Sequence, residues 1–175
     1  QPAATAMKWD QITDPAATLQ LLTGDDWGPW LVETLDGAQS SILLSLYMLS
    51  HHWRVPSRFK LDLLDTLARA ARRGLQCRGI LASSETITSR HPFNEGAART
   101  LIDAGWSIRG MRQRLLHEKT ILIDRRMVII GSHNISKASL ATNHDTSIAI
   151  ASQPLADQAW RVFWERWRVA TPWGT

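Results

Sequence analysis

Apolar residues along the chain form two kinds of segment. Strand-length segments rich in apolar residues occur at 40–49, 75–82, 106–111, 117–124, 127–131 and 145–152, with a short strand or helix end at 19–24. Apolar positions at helical spacing occur at 26–38, 56–74, 95–105, 136–142 and 154–170. This alternation predicts an α/β fold, with a mixed, mainly parallel β-sheet that is flanked by helices on both faces.

Two of these helices are marked most clearly. In residues 56–74, leucines and alanines repeat at helical spacing between Pro56 and Gly74, which mark the two ends of the helix. In residues 154–170, a single stripe holds Ala156, Trp160, Phe163, Trp164 and Trp167. Nine tryptophans are an unusual number, and we expect them to fill the core and interfaces rather than to stack on a ligand.

Length and composition set the broad class of protein. The chain has 175 residues, of which 44% are hydrophobic and 21% charged, as expected for one globular domain. We therefore predict a single domain over residues 1–175, with a flexible stub at residues 1–12. The longest apolar run, at residues 42–49, is too short to cross a bilayer, so no transmembrane segment is predicted. A net charge of +4 suits an anionic partner such as nucleic acid or a lipid surface.

The single cysteine and the first residues bear on the compartment. Cys77 lies in an apolar segment, and one cysteine excludes both an intramolecular disulfide and a cysteine-based metal cluster. The sequence opens on "QPAATAM", which fits the stub that remains after a signal peptide is removed. These residues favour the bacterial periplasm or secretion over the cytoplasm.

The segment "LLHEKTILIDRRMVIIGSHNISK", residues 115–137, carries the chemistry. Successive side chains of a strand alternate between its faces, so His117 and Lys119 point the same way and Glu118 points the other way. An imidazole beside an ammonium is a nucleophile or base beside a group that stabilises an oxyanion. Asp124 faces the opposite side of a regular strand, and we expect it to anchor the strand end or to pair with a basic group.

The second half of this segment offers groups that bind phosphate. Gly131 lets the backbone turn or approach another strand closely. Ser132 and Asn134, two residues apart, present a hydroxyl and an amide that can bond to the same phosphate oxygens. His133 lies between them and is interpreted as structural.

This spacing resembles the HKD signature of the phospholipase D superfamily. The match consists of His117, Lys119 and Asp124, followed by Gly131-Ser132-x-Asn134. Three further stretches resemble the family: "AQSSILLSLYMLS", "AARRGLQCRGIL" and "ATNHDTSIAI". The last of these has an aspartate, Asp145, where the family usually has glutamate.

The resemblance implies a role for each candidate residue. His117 would attack phosphorus and form a phosphohistidine, while Lys119 and Asn134 would hold the non-bridging oxygens. The remaining candidate catalytic residues are Ser132, which would assist the phosphate contact, Asp145, which would accept from the other ring nitrogen of His117, and Asp124, which completes the signature. The family needs no metal or other cofactor, because cationic side chains hold the phosphate.

The chain has one signature, although the mechanism needs two histidines, a nucleophile and an acid for the leaving oxygen. A two-fold homodimer would supply both, with the two copies of His117 at one shared site. Small single-signature bacterial endonucleases of the superfamily resemble this chain in length and arrangement.

The substrate is less sharply indicated than the chemistry. Arg109, Arg112 and Arg114 precede His117 and are candidates for contact with a nucleic acid backbone. The favoured hypothesis is therefore a dimeric, metal-independent nuclease of DNA or RNA with little sequence preference. A phospholipid hydrolase or transferase is the first alternative, and a non-catalytic nucleic-acid-binding dimer is the second.

Overall fold

The computed structural model of the protein describes residues 11–50, 62–83 and 94–174. Eight strands lie within these ranges: β1 (Thr18–Thr23), β2 (Ser41–Leu46), β3 (Gln76–Ala82), β4 (Ser107–Met111), β5 (Lys119–Ile123), β6 (Met127–Gly131), β7 (Thr146–Ala151) and β8 (Thr171–Pro172). The helices are α1 (Trp27–Asp36), α2 (Leu63–Arg72), α3 (Glu95–Asp103), α4 (Lys137–Ala141) and α5 (Gln153–Val169).

The predicted segments agree with these elements wherever the chain is described. The two-residue strand β8 was not predicted, because it is too short to carry a pattern. The predicted start of a helix at Pro56 lies outside the described residues, and so do ten of the twelve residues of the predicted N-terminal stub. Within the described part, α2 has Asp62 as its N-cap, whose side chain accepts from the backbone N–H of Asp65 at 3.0 Å.

All eight strands join one mixed sheet in the order β1-β7-β6-β5-β2-β3-β4-β8. The predicted predominance of parallel pairing is wrong, because only β2–β3 and β3–β4 are parallel among the seven pairings of the described strands. Helices α2 and α3 are the crossover connections that join β2 to β3 and β3 to β4. β5 and β6 are joined by residues 124–126, and so short a connection allows only antiparallel pairing.

Helices cover both faces of the sheet, as predicted. α1, α2 and α3 pack on one face over a buried cluster that includes Leu31, Leu67 and Leu101. α5 packs on the other face over a second cluster, in which Phe163 is buried and the side chains of three tryptophans are half-buried. The stripe predicted for residues 154–170 is therefore the face that α5 presents to the sheet.

The cover that α5 provides is incomplete. Two rows of paired residues cross this face, from β2 through β5, β6 and β7 to β1. The first row is Leu43, Leu122, Val128, Ile150 and Leu19. The second row is Ser45, Thr120, Ile130, Ile148 and Leu21. Leu43 is 1% exposed, whereas Leu19 is 63% and Leu21 is 68% exposed. A pocket of about 410 Å³ lies where α5 leaves the sheet, between Phe163 and Ile150. We call the part that α5 leaves uncovered, formed by the exposed Leu19, Leu21 and Ile130 and the half-buried Ile148 and Ile150, the outer sheet face.

Candidate active site

The first part of the site stands at the start of β5. Lys119 pairs with Leu46, the last residue of β2, so both lie at the same end of the sheet. Glu118 lies on the opposite face from Lys119, as predicted, where it accepts from Ser45 Oγ at 2.5 Å and from Arg166 Nε at 2.5 Å. The alternation of this strand therefore separates a pair available for chemistry from a residue that ties the strand to α5.

The structure brings the predicted pair into contact. Lys119 Nζ lies 3.1 Å from Nδ1 and 3.2 Å from Nε2 of His117, and it donates to the His117 carbonyl at 3.0 Å. His117 is exposed and Lys119 is half-buried. Burial lowers the pKa of the Lys119 ammonium below its ordinary value, and the negative charge of Asp145 offsets part of this shift. The pair is thus open to a substrate and backed by a carboxylate.

The second part of the site follows β6. Gly131 pairs with Ser147, and a Cβ atom at Gly131 would lie 2.3 Å from Ser147 Oγ and 2.4 Å from the Thr146 carbonyl oxygen. Close approach of two strands, rather than a turn, is therefore what requires glycine here. It sets the path of the next three residues, where Asn134 is half-buried and its backbone N–H donates to Ser139 Oγ at 3.1 Å.

The hydroxyl of Ser132 both donates and accepts a hydrogen bond within the chain. Its hydroxyl donates to Asp145 Oδ1 at 2.7 Å and accepts from the backbone N–H of Thr146 at 3.0 Å. The structure thus gives Ser132 a role in holding Asp145, and its predicted contact with phosphate remains a prediction. The carboxylate of Asp145 is bonded to Ser132 rather than to His117, the partner that the resemblance implied.

Electrostatics favour an ionised Asp145. Burial alone would raise the pKa of its carboxyl, but polar contacts with Ser132, Ser139 and Asn143 and the interaction with His133 outweigh burial, so the pKa lies below its ordinary value.

Two acceptor atoms at this site are buried without a hydrogen-bond partner among the described residues. They are Oδ2 of Asp145 and Oδ1 of Asn134. Buried polar atoms in proteins are almost always paired. These two atoms therefore mark the part of the site where hydrogen bonding within the described residues is incomplete.

His133 is structural, as interpreted from the sequence. Its ring is 3% exposed, stacks on Trp27 with 4.3 Å between ring centroids, and shares a 2.8 Å hydrogen bond with Ser147 Oγ. Burial lowers the pKa of His133, which the charge of Asp145 partly opposes. The histidine is thus part of the support beneath Ser132 and Asn134.

Asp124 lies at the other end of β5 and is not part of the site. Its carboxylate accepts from the backbone N–H groups of Gln39, Ser40 and Ser41 at 2.7–3.1 Å, and also from Ser40 Oγ at 3.0 Å. Burial would raise its pKa, but these bonds lower it below the ordinary value. The expectation of a strand anchor is confirmed, and its place among the candidate catalytic residues is corrected. Asp124 is five positions after Lys119, which is about 16 Å along a strand.

The three candidate arginines divide into two groups. Arg109 donates to the Trp167 carbonyl at 2.8 Å and lies over the Trp167 ring at 4.5 Å, so its guanidinium fastens β4 to the end of α5. Arg112 and Arg114 are exposed in the segment that leads to His117. Contact of these two with a substrate backbone remains a prediction.

Two residues at the site were not singled out in the sequence. Tyr47 follows β2, and its ring lies 4.7 Å from the ring of His117. Asn94 is 3% exposed, donates to the carbonyl of Tyr47 and accepts from the backbone N–H of Leu49. An apolar run conceals Tyr47, and Asn94 is 23 positions before His117 in the sequence, so neither had a local signal.

Two kinds of feature are absent from the described residues. No group of three or more histidine, cysteine, aspartate or glutamate side chains that could hold a metal ion occurs in residues 11–50, 62–83 and 94–174. Within the same ranges, no helix has the length and apolar character needed to span a membrane. The adjacent His51 and His52 lie outside the described residues, and metal independence remains a prediction for experiment.

Comparison with protein families gives a match over most of the chain. Residues 31–167 match the family described as "Cardiolipin synthase, PLD-like domain". Cardiolipin synthase A of Buchnera aphidicola is 34% identical over 101 residues, which are 55% of this chain and 19% of that protein. Minor cardiolipin synthase ClsB of Bacillus subtilis is 30% identical over 110 residues, which are 61% of this chain and 26% of that protein. The chain therefore spans about a fifth to a quarter of these relatives.

Solved structures share the fold over nearly their full length. Nuc from Salmonella typhimurium, described as a phospholipase D family member, superposes with a TM-score of 0.76 at 21% identity, over 91% of this chain and 99% of that one. NucT from Helicobacter pylori gives a TM-score of 0.73 at 15% identity, over 90% of this chain and 99% of that one. At these identities the likeness concerns the fold alone.

Proposed function

The chain belongs to the cardiolipin synthase PLD-like domain family, within the phospholipase D superfamily of enzymes, and from this membership we propose that it is a metal-independent phosphodiesterase. We further propose that it acts as a dimeric endonuclease on DNA or RNA with little sequence preference. The observation that carries the proposal is the contact between His117 and Lys119, whose ammonium also interacts with the charge of Asp145. The rest of the proposal concerns what this geometry can do and with which substrate.

The first step is an exchange of bonds at phosphorus. A ring nitrogen of His117 attacks the phosphodiester, a P–N bond forms, and the bond from phosphorus to the leaving oxygen breaks. The leaving oxygen takes a proton from a second, protonated histidine. The Lys119 ammonium and the Asn134 amide donate to the non-bridging oxygens as charge develops, which is the effect expected to contribute most to the rate.

The second step restores the enzyme. The second histidine, now neutral, takes a proton from water as the water oxygen attacks phosphorus. The P–N bond breaks, His117 leaves as a neutral imidazole, and the phosphomonoester is released. Each step needs two histidines, and His133 is buried against Trp27 and so is not placed to be the second. The exposed His144, which precedes Asp145, forms no hydrogen bond or ring contact with His117 within the described residues.

A second copy of this chain would supply the missing histidine. The outer sheet face supports this part of the proposal, because exposed apolar patches of this kind commonly mark protein interfaces. Ile148 and Thr146 lie on the same face of β7, and Thr146 bonds Ser132, so the patch continues to the edge of the site. Lys119 lies on the opposite face of the sheet, so a two-fold partner that buries Leu19 and Leu21 would have to bring the two copies of His117 together around the end of the sheet.

Nucleic acid is the favoured substrate because of the two exposed arginines before His117. Arg112 and Arg114 carry positive charge beside the nucleophile, and the whole chain has an excess of four positive charges. Backbone phosphates bind such groups without regard to sequence.

Phospholipid is the second candidate, and the sequence relatives favour it. The matched proteins are cardiolipin synthases at 30–34% identity, against 21% and 15% for the superposed structures of Nuc and NucT. The exposed outer sheet face would then contact lipid instead of a second copy. These two roles for one surface can be separated by experiment.

The test of the reaction uses the purified protein with excess chelator. Single- and double-stranded DNA, RNA and phospholipid vesicles are incubated with wild type and with His117→Ala, and products are separated by size or by chromatography. The proposal expects cleavage of nucleic acid that persists in chelator and is absent in the variant. Release of lipid products alone would transfer the assignment to the second candidate, and loss of cleavage in chelator that a divalent ion restores would overturn the reaction class.

The test of the dimer uses the outer sheet face. Leu21→Asp is expected to leave the monomer folded, because Leu21 is already exposed, while it separates the subunits and removes activity. Thr18→Asp is the matched control, because Thr18 is exposed on the other face of β1. Sedimentation velocity reports the assembly. A fully active monomer in solution would refute the dimer.

A mixed dimer tests whether the site is shared. A tagged heterodimer of wild-type and His117→Ala subunits is purified after co-expression. Two independent sites would give half of the wild-type activity, and one composite site gives far less than half.

A further inference from the structure

Tyr47 is placed where the nucleophile strand begins. It is the single tyrosine of the chain and directly follows β2. Its backbone N–H donates to the Glu118 carbonyl at 2.8 Å, which extends the pairing of β2 and β5 one step beyond Leu46 and Lys119. The backbone of Tyr47 is thus joined to the peptide between the two signature residues.

The ring of Tyr47 contacts both signature side chains. Its centroid is 4.7 Å from that of His117, with 55° between the ring planes, and 5.2 Å from Lys119 Nζ. Lys119 Nζ is itself 3.1 Å from His117 Nδ1. Ring, imidazole and ammonium therefore form a triangle in which every pair is in contact.

Asn94 holds the base of this triangle. Its Nδ2 donates to the Tyr47 carbonyl at 2.9 Å and to the Ala82 carbonyl at 2.9 Å, and its Oδ1 accepts from the Leu49 N–H at 2.8 Å. Three bonds satisfy this buried side chain and join the ends of β2 and β3. The position of Tyr47 is therefore fixed from below by the residue at the start of α3.

The contacts have a physical consequence for the pair. A lysine side chain has many rotamers to lose when it is ordered, and a histidine on an exposed segment can turn away from its target. An aromatic face attracts a cation and presents a rigid wall to an imidazole. Such a wall reduces the number of arrangements that the two side chains sample before they meet a phosphate.

We propose that Tyr47 is a positioning residue, whose ring face holds His117 and Lys119 in the arrangement needed for attack on phosphorus, with Asn94 anchoring Tyr47. The inference rests on the proposed phosphodiesterase function. It assigns the ring, and not the hydroxyl, as the working part of the side chain. This distinction makes Tyr47→Phe the matched control for Tyr47→Leu.

The kinetic test compares these two variants with the wild type. Tyr47→Leu keeps apolar bulk but removes the aromatic face, and we expect kcat to fall ~10-fold with KM within about threefold. Tyr47→Phe is expected to stay within about twofold in both constants. A Phe variant as impaired as the Leu variant would assign the function to the hydroxyl and overturn the proposal, and so would a Leu variant with wild-type kcat.

The pH profile gives a readout that simple loss of stability would not move. Lys119 must be protonated to hold an oxyanion, so activity falls as pH rises through its pKa, which burial already lowers. Losing the aromatic face removes a further stabilisation of the ammonium. The basic limb should therefore move to lower pH in Tyr47→Leu and stay in place in Tyr47→Phe.

An NMR measurement tests the packing without any activity. The ring current of Tyr47 should shift the imidazole proton resonances of His117, which are assigned by their loss in His117→Ala. The shift should persist in Tyr47→Phe and disappear in Tyr47→Leu. Identical His117 resonances in all three proteins would overturn the positioning role. A ring-current shift in a protein that cleaves no phosphodiester would instead locate the failure in the proposed function.

Discussion

The two ends of β5 carry residues of one signature and differ in how their polar groups are used. At the Asp124 end, the carboxylate accepts from three successive backbone N–H groups and one hydroxyl. At the Lys119 end, His117 is exposed, and two acceptors nearby have no partner among the described residues. The carboxylate at the Asp124 end is fully hydrogen-bonded and holds the fold together. The polar groups at the Lys119 end are not all hydrogen-bonded, and this is the end that we propose binds the substrate.

The comparison also shows what a spacing motif contains. The residues of a spacing motif do not all take part in the reaction, because a strand must be anchored at one end for its other end to be placed. Both carboxylates, Asp124 and Asp145, have lowered pKa values that result from hydrogen bonds which outweigh burial. A shifted pKa therefore does not separate the two roles, whereas the electrostatic interaction of Asp145 with Lys119 and its unpaired Oδ2 do.

The largest expected effect comes from removing the nucleophile. His117→Ala should reduce phosphodiesterase activity by at least ~10³-fold, because no other group can form the covalent intermediate. Thermal unfolding should be unchanged, since the side chain is exposed. Residual activity above a tenth of the wild-type value would mean that the open end of β5 is not the reaction centre.

The next largest effect concerns the ammonium. Lys119→Ala should lower kcat ~10²-fold, as removal of an oxyanion donor typically does. Lys137→Ala is the matched control, because Lys137 is exposed on α4 and also removes one positive charge. Equal losses in the two variants would point to overall charge rather than to a placed donor.

The anchored end should show the opposite behaviour. Asp124→Ala should reduce the free energy of unfolding by about 1–3 kcal/mol, because three backbone donors lose their shared acceptor. kcat per folded molecule should remain within about threefold of wild type. Chemical denaturation and steady-state kinetics on the same samples measure both, and a large loss of kcat in a stable variant would contradict the division between the two ends.

The pH dependence of stability sharpens the same contrast. The folded pKa of Asp124 lies below its unfolded value, so its contribution is present above about pH 4 and is lost as pH falls through the folded pKa. As pH falls from about 5 to about 2, the free energy of unfolding of Asp124→Asn should therefore decrease less than that of the wild type. Parallel curves for the two proteins would show that the anchor does not titrate as described.

The smallest effect is expected in substrate binding. Arg112→Ala with Arg114→Ala should make the salt dependence of duplex affinity less steep by about two units of slope, one for each lost phosphate contact. Arg109→Ala should leave this slope unchanged and reduce stability instead, because Arg109 is bonded to α5. A slope that changes only in Arg109→Ala would reverse the assignment of the basic residues.

The sequence predicted the elements and the reacting pair more successfully than their connections. Alternation along β5 separated Lys119 from Glu118, and close packing of a strand explained Gly131, because both follow from local geometry. Pairing direction depends on which strands are joined by helices, and that pattern misled the estimate of parallel pairing. The role of Arg109 depends on α5, which lies over 40 residues later, and no local pattern reports such a contact.

The anchor at Asp124 has a further consequence, for the register of the central strands. Ile121, Leu122 and Ile123 are all buried, as are all six residues of β2, so hydrophobic pattern alone barely distinguishes the native pairing of β2 and β5 from one displaced by a single residue. Such a slip would turn Lys119 to the face of the sheet that α5 covers. Three consecutive N–H groups meeting one carboxylate fit only one alignment. A residue about 16 Å from the reaction therefore adds to the preference for the register that keeps Lys119 on its own side of the sheet.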